Sequence, residues 1–326
     1  MKNSTKIMAF MIMMLSTITV LNSTNWINMW MGMEMNLMSF IPIMSEKKKK
    51  NSSQSIMMYF IIQSMGSMIM MFSIMIMKWD MNMMKYIMLV SMSIKVGIPP
   101  FHLWFPEIMN LMSMKLCLIL TTWQKVAPLY IINKIIEYST ISLMIVIMTS
   151  IIGAIGGINQ TSTRKIISYS SINHMSWIVM LSLINKKLWL MYILVYMIMM
   201  IMLCLMMENN NILHINQMKT FSMNLMNKMS LTIMMMSLSG MPPLIGFFPK
   251  WMVIQNTVLT KDLAILMIML LMSTITMAYY MRMMNFMNLY QCHLQKWMMF
   301  MKETNMYIMM MMINISLPVS ILLFNI

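Results

Sequence analysis

The chain has 326 residues, 60% hydrophobic and 10% charged, with 23 Lys and Arg against 8 Asp and Glu and a formal net charge of +15. A soluble domain carries roughly 25% charged residues, so a chain of mean hydropathy +0.73 cannot coat a globule of this size with charge. A water-soluble enzyme is excluded, and 8 Gly with 9 Pro exclude a collagen-like or disordered chain.

Apolar segments follow one another with short polar joints near 5–21, 24–44, 55–77, 81–98, 115–136, 139–158, 165–184, 187–207, 228–241, 261–285 and 304–324. At about 20 residues per membrane span, these read as transmembrane helices. The first is apolar almost throughout with no small-residue cleavage site behind it, so it reads as a retained span. Two further short apolar pieces, near 107–114 and 248–258, each follow a proline-rich interruption. The first interruption is Gly97-Ile98-Pro99-Pro100-Phe101-His102-Leu103-Trp104-Phe105-Pro106-Glu107. The second is Gly240-Met241-Pro242-Pro243-Leu244-Ile245-Gly246-Phe247-Phe248-Pro249-Lys250. The glycine, the proline pair, one Phe and the last Pro coincide at an offset of 143 residues.

Proline removes a backbone donor and clashes with the preceding turn, so each motif breaks a membrane helix into two halves. Broken backbone survives at that depth only inside protein or beside water, and paired breaks in two halves of a chain point to transporter-like repeats. Counting each broken segment once gives eleven spans in a five-plus-five-plus-one pattern, with the two five-helix repeats inverted. The fold expected is therefore an all-α polytopic membrane protein of about eleven transmembrane helices. Its parts are a first repeat over 1–137, a second inverted repeat over 138–287, and a loop with a C-terminal helix over 288–326.

On this count the loops on the N-terminal side carry Lys2, Lys6, Lys47–Lys50, Arg164, Lys165, Lys219, Lys228, Arg282, Lys296 and Lys302 against Glu46, Glu208 and Glu303. The opposite loops are nearly balanced, net +2 against +10. The positive-inside rule places the N-terminus on the inner side and the C-terminus outside. The excess of base is thereby accounted for at lipid headgroups, and no nucleic-acid partner is expected.

Few ionisable residues remain within spans, and at a helix centre such a residue costs about 2.5–3.5 kcal/mol even on the mild insertion scale. They are Glu34 in the second span, Lys95 just before the first break, Lys125 three residues before Pro128, Lys250 at the end of the second break, and His174 central in the seventh span. A lysine in a low-dielectric site responds strongly to a nearby carboxylate, which is what a coupled proton pump needs. The competing readings are a static Glu34–Lys95 ion pair, snorkelling of Lys125 and Lys250, and a hydrogen-bonded core role for His174. His102 reads as interfacial or as a relay, and Lys85 and Lys115 as span-end residues.

Other chemistry finds little support. Gly153, Gly156 and Gly157 lie in an apolar span and suit close helix packing better than phosphate binding. Cys117, Cys204 and Cys292 are far apart, and no set of Cys or His is spaced for a metal, haem or iron–sulfur cluster. Met-rich copper transport is the sharper alternative for the 63 Met, but they spread over nearly every span instead of clustering in short motifs.

Met33-Glu34-Met35-Asn36, the segment Lys95 to Glu107, Thr122-Trp123-Gln124-Lys125-Val126-Ala127-Pro128 and Gly157-Ile158-Asn159-Gln160-Thr161 share one resemblance. Arg164-Lys165-Ile166, Tyr169-Ser170-Ser171-Ile172-Asn173-His174-Met175 and Gly240 to Trp251 belong to the same set. Together, in order over about 24–285, these segments resemble subunit 2 of mitochondrial NADH:ubiquinone oxidoreductase, respiratory complex I, in its invertebrate form. Pro99-Pro100 departs from the Ala-Pro of many relatives and leaves Lys95 in place.

The resemblance implies an antiporter-like subunit of the proton-pumping membrane arm. Glu34 would pair with Lys95, Lys125 would connect two half-channels, Lys250 would serve the second, and His174 would help carry water or protons. It implies no cofactor in this chain, with NADH, FMN, iron–sulfur clusters and ubiquinone in other subunits. The expected partners are other core membrane subunits, accessory subunits and phospholipid, including cardiolipin. The implied location is the mitochondrial inner membrane, with the N-terminus in the matrix and the C-terminus in the intermembrane space. The Met and Lys excess agrees with an AT-rich gene read by a mitochondrial code in which ATA is Met. The alternatives are a free-standing Mrp-type cation/proton antiporter and a mainly structural bridging subunit.

Overall fold

Long runs of Met, Ile and Leu with no period-two alternation form helices, because a helix satisfies its own backbone hydrogen bonds wherever water is excluded. The computed structural model of the chain describes residues 3–45, 50–220, 225–288, 312 and 314. The final segment expected over 288–326, and Cys292 with it, lies outside the described residues except for its first residue and those last two.

Fourteen helices occur among the described residues. They are α1 Asn3–Asn22, α2 Trp26–Met44, α3 Lys50–Ile76, α4 Met81–Val96, α5 Trp104–Leu111, α6 Met114–Thr121 and α7 Trp123–Ile135. They continue with α8 Thr140–Ile158, α9 Thr163–Ile184, α10 Trp189–Asn209, α11 Gln217–Thr220, α12 Leu225–Ser239, α13 Phe247–Thr260 and α14 Leu263–Asn288. No strand occurs among the described residues; one isolated bridge joins Ser162 to His214. The chain divides into two compact units, Met1–Ile145 and Val146–Ile326. In the first, α1 packs on α2, α3 on α4, and α7 on α4 and α6. In the second, α9 packs against α10, α13 and α14, and α12 against α10 and α14.

Among the described residues, five helices are long and apolar enough alone to cross a membrane, namely Ser4–Asn22, Ser52–Ile76, Thr140–Ile158, Trp189–Asn209 and Leu263–Met287. The other described segments read as spans are broken, shorter or more polar. α9, with five serines, Asn173 and His174, is buried along nearly its whole length. Serine hydroxyls within the apolar helices donate to the carbonyl three residues back, as Ser16 does to Met13 and Ser73 to Met70; these hydroxyls are thereby satisfied on their own helix.

Both proline motifs end one helix and begin another. Gly97 (φ +80°) and Gly240 (φ +83°) take the left-handed conformation that glycine supplies at a helix end. At the first break the backbone N–H groups of Gly97 and Ile98 both donate to Ser93 O, and Trp104 Nε1 donates to Ile94 O. At the second, Gly240 N donates to Ser237 O, Met241 N to Met236 O, and Ile245 N to Asn314 O. The broken backbone is therefore answered inside the protein, as a low-dielectric setting demands.

One expectation is corrected. The segment 115–136 is not a single helix: it kinks at Thr122, between α6 and α7. The hydroxyls of Thr121 and Thr122 both donate back to Leu118 O, at 3.1 and 2.6 Å, and Lys125 N reaches only Thr122 O. Such back-bonding bends helices, and Pro128 in the next turn removes a further donor.

Gly246 meets the carbonyl of Ser237 so closely that a Cβ there would lie 1.7 Å from its oxygen. Gly246→Ala is expected to destabilise the second unit by about 3 kcal/mol or more, read as a loss of protease-resistant chain in isolated membranes. A normal yield would contradict this packing.

Candidate functional site

The first unit gathers its polar side chains around Lys95 and Lys125. Lys95 lies in the last turn of α4, 5% exposed. Its stem runs along α3 at Gly66, where a Cβ would lie 2.8 Å from Lys95 Cγ. Gln63, one turn earlier on α3, donates from Nε2 to Lys95 O at 3.0 Å. Lys125 begins α7, and its Nζ sits 4.6 Å above the ring of Phe105. Asn36, Tyr59, Gln63, Lys95, Gln124 and Lys125 share one cavity of about 20 Å³, room for one water molecule. Tyr59 OH donates to Gln124 Oε1 at 3.4 Å, and Gln124 Nε2 to Asn36 Oδ1 at 3.1 Å. The lysines are thus the charged members of a small buried network of amides and one phenol.

Glu34 is placed differently from the sequence expectation. It is half-buried on α2, in an open groove of about 490 Å³ beside α3, with Trp30, Phe60, Ser64 and Ser67. It forms no ion pair with Lys95 within 4.0 Å, and its charge reaches Lys95 only through the intervening interior. A static ion pair fixing the packing is therefore not what holds these helices. An ion pair does join Lys85 to Glu137, linking α4 to the turn after α7.

The second unit holds Lys250 and His174. Lys250, on the first turn of α13 and 4% exposed, donates from Nζ to Ser239 O at 2.6 Å. Ser239 is the last residue of α12, so the ammonium rests on a carbonyl the break has freed, at the negative end of a helix dipole. A Cβ at Gly240 would lie 2.7 Å from this Nζ. Trp177 of α9 stands 5.7 Å over the ammonium. One turn earlier on α9, His174 Nδ1 lies 3.0 Å from Tyr192 OH, with the Tyr196 ring 5.0 Å away. His102 is half-buried after the first break, its Nδ1 without a hydrogen-bond partner, and it does not line the Lys95 cavity. Among the described residues, no group of three His, Cys, Asp or Glu could hold a metal ion.

Residues 23–276 match the family model described as NADH:quinone oxidoreductase/Mrp antiporter, transmembrane. The NADH-ubiquinone oxidoreductase chain 2 of Locusta migratoria is 38% identical over 291 residues, covering 86% of this chain and 84% of its own. The chain 2 of Aedes aegypti is 39% identical over 285 residues, covering 84% and 83%. The chain belongs to the NADH-ubiquinone oxidoreductase chain 2 family. It is an integral membrane protein of antiporter-like fold. A chain in the structure of respiratory complex I from Thermus thermophilus with bound aureothin shares that fold, with a TM-score of 0.79 at 14% identity over 87% of this chain and 70% of that one.

Several residues that shape the site carry no signal of their own in the sequence. Gln63 and Gly66 stand in a span as ordinary polar and small residues, and only the fold sets Lys95 against them. Ser239 acts through its backbone, which no side-chain pattern reveals. Asn36 and Gln124 lay inside segments quoted for the resemblance, but without a role.

Gly66→Ala is expected to displace the Lys95 stem and lower NADH:ubiquinone turnover in membranes several-fold, since a displacement of about 1 Å at a reacting group can cost up to ~10²-fold. Unchanged turnover with a normal amount of chain would show that the position of Lys95 is not critical.

Proposed function

We propose that this chain is a proton-translocating membrane-arm subunit of respiratory complex I, coupling NADH:ubiquinone electron transfer in other subunits to proton movement through Glu34, Lys95, Lys125 and Lys250. His174 serves as a relay. The observation that carries the reading is the burial of three lysines, each 4–5% exposed, at helix breaks in a chain of this family. A purely structural chain would gain stability by replacing such cations with apolar residues.

In this reading the chain has eleven transmembrane helices in two inverted five-helix repeats, 1–137 and 138–287, with 288–326 supplying a loop and the last helix. It lies in the mitochondrial inner membrane, with the N-terminus in the matrix and the C-terminus in the intermembrane space. It holds no redox centre; FMN, iron–sulfur clusters and the NADH and ubiquinone sites belong to other subunits. Its partners are the neighbouring core and accessory subunits and phospholipid, including cardiolipin. Redox work elsewhere would alter the distance between Glu34 and Lys95. Because the field of one charge on another grows steeply as separation and dielectric fall, that movement changes how firmly Lys95 holds its proton.

A free-standing Mrp-type antiporter is the second reading, favoured by the shared family description. The chain 2 identity of the insect relatives supports the first. On native gels the chain is expected in a particle many times its own mass. Lys95→Ala and Glu34→Ala are each expected to lower coupled NADH:ubiquinone turnover by about tenfold or more in a complex that still assembles. Full coupled turnover in both variants would favour a bridging role.

A further inference from the structure

A cluster of hydroxyls around α9, α10 and α14 plays no part in the lysine sites. Tyr196 on α10 and Tyr279 and Tyr280 on α14 are each 1–2% exposed, and none of the three hydroxyls makes a hydrogen bond of good geometry, their nearest polar neighbours being the hydroxyls of Ser171 and Ser170. The side-chain oxygen of Asn173, next to His174 in sequence, is equally buried and unpaired. A phenol that only fills space in an apolar helix is better replaced by Phe, because a buried hydroxyl left unsatisfied is costly. Three of them in one place indicate something polar that they serve.

Their order along the fold indicates what that is. His174 Nδ1 lies 3.0 Å from Tyr192 OH, and its ring is 5.0 Å from that of Tyr196. Tyr196 neighbours Tyr192, Tyr280 and Ser171. Tyr280 and Tyr279 stand 5.0 Å apart, both beside Ser170. Ser170 and Ser171 give their own protons to Ile167 O and Ser168 O, so toward the tyrosines they can act only as acceptors. Beyond Tyr279 the cluster reaches the end of α8. The Tyr279 ring rests on Gly157, where a Cβ would lie 2.7 Å from it. Arg282, one turn along α14, holds the carbonyls of Ile158 and Gln160. The sequence of hydroxyls thus runs from His174 deep in α9 to the loop joining α8 and α9.

We propose that Tyr196, Tyr279 and Tyr280, with internal water, form a proton-transfer branch between His174 and the α8–α9 loop. The proposal rests on the proton-translocating reading above and adds residues to it. In each step a phenol accepts a proton from the water behind it and gives its own O–H proton to the water ahead. One proton advances, the phenol ends neutral as it began, and no oxidant or reductant is required.

Tyr196→Phe, Tyr279→Phe and Tyr280→Phe each remove one oxygen and keep the ring contacts. In the assembled complex in sealed vesicles, the triple variant is expected to lower proton pumping and coupled NADH:ubiquinone turnover by at least about threefold, with an enlarged solvent deuterium isotope effect. Wild-type pumping in the triple variant, alongside loss in Lys250→Ala, would overturn the branch and leave the broader reading intact. Wild-type pumping in Lys250→Ala as well would overturn the broader reading itself. A second measurement needs no variant: in the unaltered complex, ordered water is expected within about 3.2 Å of these hydroxyls. Hydroxyls bonded directly to one another with no water among them would overturn the branch.

Discussion

An ammonium group at membrane depth is tolerated only where the protein supplies what water would have supplied. Lys95, Lys125 and Lys250 meet this requirement in related ways. Lys250 takes the Ser239 carbonyl at the end of α12, and Lys95 sits in the last turn of α4. The Lys250 ammonium therefore lies where a helix dipole presents roughly half a negative charge, while the Lys95 stem runs along α3 at Gly66. Lys125 stands at the start of α7, where the dipole of that helix opposes a cation, and its Nζ faces the Phe105 ring. The breaks are what make this possible: an unbroken helix consumes its own carbonyls, whereas a broken one frees several at mid-depth.

The same breaks position the rest of each site. Gly97 turns the chain so that α5 follows at once, which brings Trp104 back onto Ile94 O and places Phe105 to face Lys125. Gly240 turns the chain under Lys250, and Gly246 admits the Ser237 carbonyl. Glycine is needed at these points for close approach as much as for conformation. The apolar outer helices need no such devices, and their exposed faces, such as Met68 and Phe72 on α3, suit lipid or a neighbouring helix.

Much of this was legible in the sequence because membrane constraints are severe. Length and hydropathy announce the helices, the two proline pairs announce the breaks, and a cation in an apolar run announces itself by its cost. What escaped depends on tertiary contact. The kink at Thr122 arises from hydroxyl back-bonds that any Thr can make, and Pro128 alone does not place it. Gly66 resembles any small residue of a packing face until Lys95 is set against it. Of the two readings of Glu34 and Lys95, the static ion pair is not observed: Glu34 lies in an open groove and Lys95 in a closed cavity, which sequence spacing does not show. Tyr196, Tyr279 and Tyr280 were silent because tyrosine in a membrane helix ordinarily marks the interface, and only their burial reveals otherwise.

The proposal that follows from the sequence, the breaks and the burial is that the lysines at the helix breaks are retained for proton movement at a cost in stability. The most direct test is the number of protons pumped per NADH oxidised by the assembled complex in sealed vesicles when Lys125 is replaced by Met, a side chain of similar length without charge. A clear fall in that ratio, with the complex intact on native gels, is the result predicted here. An unchanged ratio at wild-type turnover would contradict it.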